Sequence, residues 1–202
     1  MKDLRPIMIV WSCLALLVLG YAFLVANLAS ITVIAALLAG WVTWGFVEYH
    51  LHRYGMHWRP EDEKLHMLRE DILAHDNHHR KPSNPNDTYV MPAHFAPAII
   101  ITLALLSAFI IPLALSGCFY LGIGIGYVSY ELVHYACHRC KMDGPIGTRL
   151  KQHHALHHFR DDDANFGVTT TVWDSVFRTF KTIDMVTNPR GPEAQTAHLP
   201  KR

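Results

Sequence analysis

Residues 6–47 read PIMIVWSCLALLVLGYAFLVANLASITVIAALLAGWVTWGFV, without one Asp, Glu, Lys or Arg. Residues 88–130 repeat the pattern, and only His94, which can stay neutral, interrupts them. Each run is a little over 40 residues long, whereas one helix crossing the hydrocarbon core of a bilayer takes about 20. Each run therefore has room for two crossings joined by a tight turn. Backbone groups in lipid must be satisfied internally, and neither run alternates as barrel strands do, so helices are expected. The first hairpin is predicted at 7–25 and 31–47, turning around 27–30. The second is predicted at 96–113 and 119–133, turning around Ser116 and Gly117. A cleaved signal peptide fits the start poorly, because the apolar stretch is too long and another follows at once.

The charges lie outside these hairpins. All 18 Lys and Arg fall in the N-terminal tail, in residues 48–87 or after Tyr130. The positive-inside tendency then places both termini and both polar segments in the cytoplasm. The expected fold is an all-α integral membrane protein of a single domain, residues 1–202. Its four transmembrane helices form two hairpins (about 7–47 and 96–133) beneath a cytosolic helical cap (about 48–92 and 134–184). Pro60, Pro82 and Pro85 mark boundaries between short cap helices, and the tail after Asn188 reads as a loose extension. With 18 basic residues against 17 acidic ones and a formal net charge of +1, the chain lacks the basic excess of a nucleic-acid binder.

The 15 histidines stand out, since a neutral imidazole is a good nitrogen donor to metals near pH 7. They gather just after each hairpin: His52 and His57, then His75, His78 and His79; His134 and His138, then His153, His154, His157 and His158. Residues three and four apart share a helix face. That lets His75, His78 and His79 converge, as do His154, His157 and His158, and pairs His134 with His138. His52 and His57 are five apart and fit one straight helix poorly; Gly55 offers a place for the helix to end and return His57 to the site. Leaving His153 aside, these ten imidazoles exceed the four to six ligands of one ion. Two metals with about five nitrogens each use the set, five following each hairpin. Such donors suit iron, zinc, copper or nickel.

Two other motifs have plainer readings. Cys137 and Cys140 form a CxxC with no second pair, so they read as unpaired thiols beside the histidine site. Gly122, Gly124 and Gly126 form GxGxG inside an apolar helix with no preceding strand, which points to close helix packing rather than a nucleotide loop.

The stretches LHRYGMH (51–57), HDNHHRKPSNPNDTYVMP (75–92), GYVSYELVHYACHR (126–139) and LKQHHALHHFRDDDANFGVTTTVWDSVFRT (150–179) resemble the fatty acid hydroxylase and sterol desaturase superfamily. The likeness is greatest to its fatty acid 2-hydroxylase branch. The resemblance implies a four-helix membrane anchor with a helical cap, and the ten histidines as ligands of two non-haem iron ions, whose places zinc can occupy. It implies that O2 and two electrons are consumed and one oxygen is inserted into a lipid C–H bond, at the 2-position of an acyl chain. Well-known eukaryotic members carry a cytochrome b5-like domain; here membrane sequence begins almost at once, so a separate donor is expected, such as cytochrome b5, ferredoxin or a reductase. A bacterial inner membrane is the preferred location, or the endoplasmic reticulum in a eukaryote.

Around the ligands, Glu48, Glu131 and His153 are candidates for orienting histidines through their second nitrogens; an interfacial charge explains the two glutamates equally well. His50, His66, His94 and His198 receive no role. Trp58, Tyr89, Phe159 and Trp173 suit an acyl entrance or interfacial anchoring, and residues 161–163 read most simply as a solvated acidic turn. The alternative within the superfamily is a sterol or carotenoid hydroxylase or desaturase. The alternative of a different class is a membrane metal transporter, which histidines spread through the membrane core around a polar pore would support; here they flank the core and the apolar runs lack Asp and Glu. A membrane zinc hydrolase would use a His-Glu-x-x-His motif, which is absent.

Overall fold

The computed structural model describes residues 5–73, 75–82 and 95–187. Tyr89, His94, His198 and the tail after Asn188 lie outside them. Among the described residues every regular element is helical. The order is α1 (Arg5–Gly20), α2 (Ser30–His50), α3 (Glu63–Leu73), α4 (His75–Arg80), α5 (Phe95–Ser107), α6 (Leu113–Arg139), α7 (Gly144–Phe159), α8 (Val172–Val176) and α9 (Ile183–Thr187). Helices α1 and α2 each run on into a π-helical turn, Tyr21–Val25 and Leu51–Met56.

Among the described residues, three helices are long and apolar enough to cross a membrane: Arg5–Val25, Ser30–Met56 and Leu113–Arg139. Many of their large apolar side chains face outward, with Leu16 75%, Leu24 82% and Ile31 73% exposed, which water would penalise and lipid tails accept. The chain is a multi-pass membrane protein. Two hydroxyls on these helices return to their own backbone: Thr43 donates to the Ala39 carbonyl (2.8 Å) and Ser129 to that of Ile125 (2.8 Å), so neither adds an unsatisfied donor.

The first turn falls where the sequence places it: Asn27 takes the left-handed conformation (φ 49°) between the π turn and α2. The second turn does not. It lies at residues 108–112 rather than at Ser116 and Gly117, which sit inside α6. Pro112 explains the shift, since it lacks an N–H and disfavours helical geometry at Ile111. It then opens α6, where Leu115 and Ser116 both donate N–H to its carbonyl. Helix α5 is consequently shorter than expected, at 13 residues, and α6 runs on through His134 and His138.

Backbone contacts divide the chain into two compact units, residues 1–47 with 85–131, and 48–84 with 132–202. In the first, the core is built on small residues, Ala22, Ala36 and Cys118 around Val33. The expected role of the GxGxG stretch holds. A Cβ on Gly122 would lie 2.2 Å from the Leu37 carbonyl oxygen, one on Gly124 1.8 Å from the Trp11 ring, and one on Gly126 2.4 Å from Trp44 Cβ. Gly40 answers from α2, its Cβ position 1.9 Å from the Phe119 oxygen. Helices approaching this closely gain dispersion contacts, which drive association where lipid removes the hydrophobic term.

In the second unit, polar caps replace apolar length. Asp62 accepts the N–H of Lys64 (2.9 Å) and Leu65 (3.0 Å) at the start of α3. Glu70 does the same for α4 through Asp76 (3.0 Å) and Asn77 (2.8 Å). Such caps satisfy amides that a helix start leaves orphaned, and here they hold a six-residue helix carrying three histidines.

Candidate metal centre

The ten predicted histidines all meet in the second unit, in two groups. His52, His57, His75, His79 and His157 offer one nitrogen each within 4.8 Å of one another, and so do His78, His134, His138, His154 and His158. Nitrogens about 2.1 Å from one ion and about 90° apart stand about 3 Å from each other. The observed Nε2···Nε2 separations match this: His52–His75 3.2 Å, His57–His75 3.0 Å, His57–His157 3.1 Å and His138–His154 2.9 Å. The groups adjoin, with the His79 ring stacked on that of His158 at 4.2 Å between centroids.

Local winding explains the membership. His52 and His57 share a pocket through the π turn: its i→i+5 bonding, which includes His57 N–H to the His52 carbonyl (3.1 Å), aligns residues five apart. The helix therefore does not end at Gly55 to return His57, as the spacing suggests. Nor do the two His-x-x-His-His triads each converge on one point. His75 and His79 stay together while His78 joins the other group; His154 and His158 stay together while His157 crosses over. At about 100° per residue, adjacent histidines point well apart, so the i, i+4 pair serves one pocket and the i+3 ring the next. Each pocket draws four histidines from one half of the chain and one from the other.

A metal fits these residues better than mutual hydrogen bonding does. His52 Nδ1 donates to the Phe166 carbonyl (2.5 Å) and His157 Nδ1 to that of Ala164 (2.7 Å). With the proton on Nδ1, each neutral ring presents its Nε2 lone pair to the pocket. His75 Nε2 faces two other Nε2 atoms and has at most one proton to share. The buried Nε2 atoms of His78, His79 and His158 have no hydrogen-bond partner among the described residues, a costly state that a cation relieves.

Burial also keeps the imidazoles neutral, the form a metal needs. It holds His75, His154 and His157 well below the ordinary 6.5, and the neighbouring imidazoles add to the effect. The same causes push His57 down to about 2 and His78 to about 3. In the unfolded chain these rings titrate near their ordinary value. As pH falls below it, the unfolded state takes up protons that the folded state refuses. Stability is thus full above about pH 6.5 and declines below it, by about 1 kcal/mol per fully buried ring between pH 7.5 and 5.5. The metal-free protein in detergent is expected to melt at a clearly lower temperature at pH 5.5; a flat profile would count against neutral, buried pockets.

The surrounding residues brace the pockets. Glu48 is buried and accepts the N–H of Val168 (2.6 Å) and Thr169 (2.9 Å) together with the Thr169 hydroxyl. It thereby tethers the loop that carries Phe166. Glu131 is buried on α6, three residues before His134. His153 is not in either group; its Nε2 donates to Asp174 (3.0 Å). His66 pairs with Asp76 (3.2 Å), and the His50 ring packs on Phe177. The acidic turn is not simply solvated: Asp161 pairs with Lys181 and Asp162 with Arg59. All four cysteines are free, and neither pocket includes one. Phe159 lines a cavity of about 300 Å³ that reaches His79, His157 and His158. Trp58 is about half exposed, and Trp173 stacks on Phe177.

Two residues escaped the sequence reading. Buried Arg69 donates to the Met56 carbonyl and to Asp76, joining the end of the π turn to α4. Asp174 is fully buried and accepts four hydrogen bonds. Their partners are a mixture of backbone groups and side chains, 5 to 21 residues away and at no helical or strand spacing, so no local signal marks them.

Residues 37–179 match the fatty acid hydroxylase family. The chain is 31% identical over 143 residues to a fatty acid 2-hydroxylase of Homo sapiens, covering 70% of this chain and 38% of that protein. It is 32% identical over 140 residues to a dihydroceramide fatty acyl 2-hydroxylase of Arabidopsis thaliana, covering 69% and 58%. Its fold matches a structure of full-length scs7p, in which only the hydroxylase domain is visible, with a TM-score of 0.77 and 26% identity over 95% of this chain and 72% of that one. The chain thus spans well under two thirds of the length of these curated relatives. The matched region runs from the second membrane helix to the loop beyond α8 and contains all ten pocket histidines, and by that match the chain belongs to the fatty acid hydroxylase family.

Proposed function

We propose that this chain is an O2-dependent lipid hydroxylase whose ten pocket histidines hold two non-haem iron ions and whose target is the 2-position of an acyl chain. The observation that carries the reading is the pair of adjoining five-nitrogen pockets of neutral imidazoles. Bound there, a redox-active metal pair supplies the chemistry by which O2 oxidises an unactivated C–H bond. The protein's own part is to hold ten lone pairs inward, to fix two rings by backbone carbonyls and to keep the rings unprotonated by burial. An all-nitrogen ligand set also accommodates zinc, and in this reading zinc occupies the pockets without supporting oxidation.

The substrate class follows from the relatives, named for fatty acid and dihydroceramide acyl 2-hydroxylation. The membrane unit is read as four spans in two hairpins, with α5 and α6 forming the second. Both termini and the metal centre face the cytoplasm, because the basic residues flank the apolar runs and avoid the turns. Glu131 is assigned the orientation of His134. Electrons come from a donor protein such as cytochrome b5, ferredoxin or a reductase, in a bacterial inner membrane or the endoplasmic reticulum.

Anaerobic loading with iron, reduction and exposure to 18O2 in the presence of acyl lipids is expected to yield 2-hydroxyacyl product carrying one 18O. A fully loaded, reducible enzyme that leaves every lipid unlabelled would reject hydroxylation. Label appearing only in sterols or carotenoids would move the substrate class instead.

A further inference from the structure

We propose that the two pockets are unequal and that Asp174 makes the first of them, His52, His57, His75, His79 and His157, the tighter metal position. This rests on the reading of both pockets as metal sites. In the first pocket, two rings are locked from behind: His52 Nδ1 donates to the Phe166 carbonyl and His157 Nδ1 to the Ala164 carbonyl, at 2.5 and 2.7 Å. In the second, the buried Nδ1 atoms of His154 and His158 have no hydrogen-bond partner among the described residues. A carbonyl behind a ligating imidazole selects the tautomer, fixes the ring's rotation and raises its basicity, which strengthens metal binding.

Both carbonyls belong to one irregular loop, and a loop offers fixed acceptors only if something holds it. Asp174 does. Its Oδ1 accepts the Phe166 N–H (2.8 Å) and the Thr179 hydroxyl (2.7 Å); its Oδ2 accepts the Gly167 N–H (2.8 Å) and His153 Nε2–H (3.0 Å). A carboxylate is an acceptor-only group with room for four such donors. Between the two carbonyls, Asn165 adopts φ 58°, and its side chain accepts the Lys181 N–H (2.7 Å) and donates to the Lys181 carbonyl (3.0 Å). Gly167 completes the fit, since a Cβ there would stand 2.8 Å from Asp174 Oδ2 and 2.1 Å from the Thr170 carbonyl oxygen. Asp174 touches no metal ligand of the first pocket; it acts through the backbone, as a positioning residue.

The test is metal binding, read without turnover. The chelator-stripped chain in detergent is titrated with Zn2+ in competition with a chelating dye. Wild type is expected to bind two zinc ions in steps at least about tenfold apart, the span that such supporting partners contribute. His138→Ala, which disables the second pocket, is expected to leave the tight step, and His75→Ala the weak one. Adding Asp174→Asn replaces two acceptor positions by an amide that cannot accept; it is expected to weaken zinc about 10- to 100-fold in the His138→Ala background and to leave the His75→Ala background within about twofold of its parent.

Two zinc ions of equal affinity, a reversed order in the two histidine variants, or an equal loss in both backgrounds would overturn the inference. Wild type holding fewer than two zinc ions would instead overturn the dimetal reading on which it rests. The histidine variants decide which pocket is the tighter even where Asp174→Asn does not fold, and Asp174→Glu, which keeps the carboxylate but displaces it, then reads the role of Asp174 by the same selective loss in the His138→Ala background.

Discussion

His78→Ala and His157→Ala are each expected to lower the metal content from two ions per chain to about one and to abolish turnover. Each of these rings is the member that crosses into the pocket otherwise built by the other half of the chain. Removing it leaves four nitrogens and an opened coordination position in a buried cavity, and it cuts the tie between the two halves. Because the proposed reaction needs both ions together, activity is expected to fall to the level of the metal-free protein, while the membrane helices stay folded. Metal analysis of the purified variants checks the first part and 18O2 incorporation the second. Unchanged metal content in both variants would remove these residues from the ligand set. His50→Ala is the matching control, because His50 packs against Tyr49 and Phe177 and belongs to neither pocket.

The second large effect is expected in the membrane unit. Gly122→Ala and Gly40→Ala place a methyl group against the backbone of a neighbouring helix, 2.2 Å from the Leu37 oxygen and 1.9 Å from the Phe119 oxygen respectively. No rotamer change relieves a clash with backbone, so α2 and α6 must separate along the contact. Overpacking costs about 1–3 kcal/mol, and a clash with backbone lies at the upper end of that range, a large share of the roughly 5–15 kcal/mol that holds a protein together. Both variants are expected to be lost to aggregation on detergent extraction, seen as the disappearance of the monodisperse peak in size-exclusion chromatography. Gly20→Ala is expected to be neutral or mildly stabilising, because nothing lies within 4 Å of its Cβ position and alanine is the better helix former. A normal profile for Gly122→Ala would mean that the helices are less tightly packed than described.

The membrane character and the set of histidines that cluster were legible in the sequence because both depend on local quantities. Forty uncharged residues can be counted, and so can ten histidines clustered after two apolar runs. Even the packing role of Gly122, Gly124 and Gly126 could be read from its apolar setting. The misreadings came where a single residue decides local geometry. Pro112 sets the second turn through its missing N–H, whereas the small polar residues Ser116 and Gly117 look more like a turn and are accommodated within α6. The link between His52 and His57 depends on a π turn, which residue spacing alone does not announce.

By itself, the sequence determined that this chain is helical, embedded in a membrane and furnished with the nitrogens for two metal ions. Hydropathy and residue type follow the order of the chain, and neither needs a neighbour to be evaluated. Only the tertiary structure decided how the ten rings divide, with His78 and His157 exchanged between the halves, and that Asp174 and Glu48 hold the loop behind them. Those outcomes depend on helix phase and on hydrogen bonds to backbone groups more than a hundred residues away in the case of Glu48. A backbone amide or carbonyl has the same chemistry at every residue, so which of them meets a given side chain is settled only when the chain is folded.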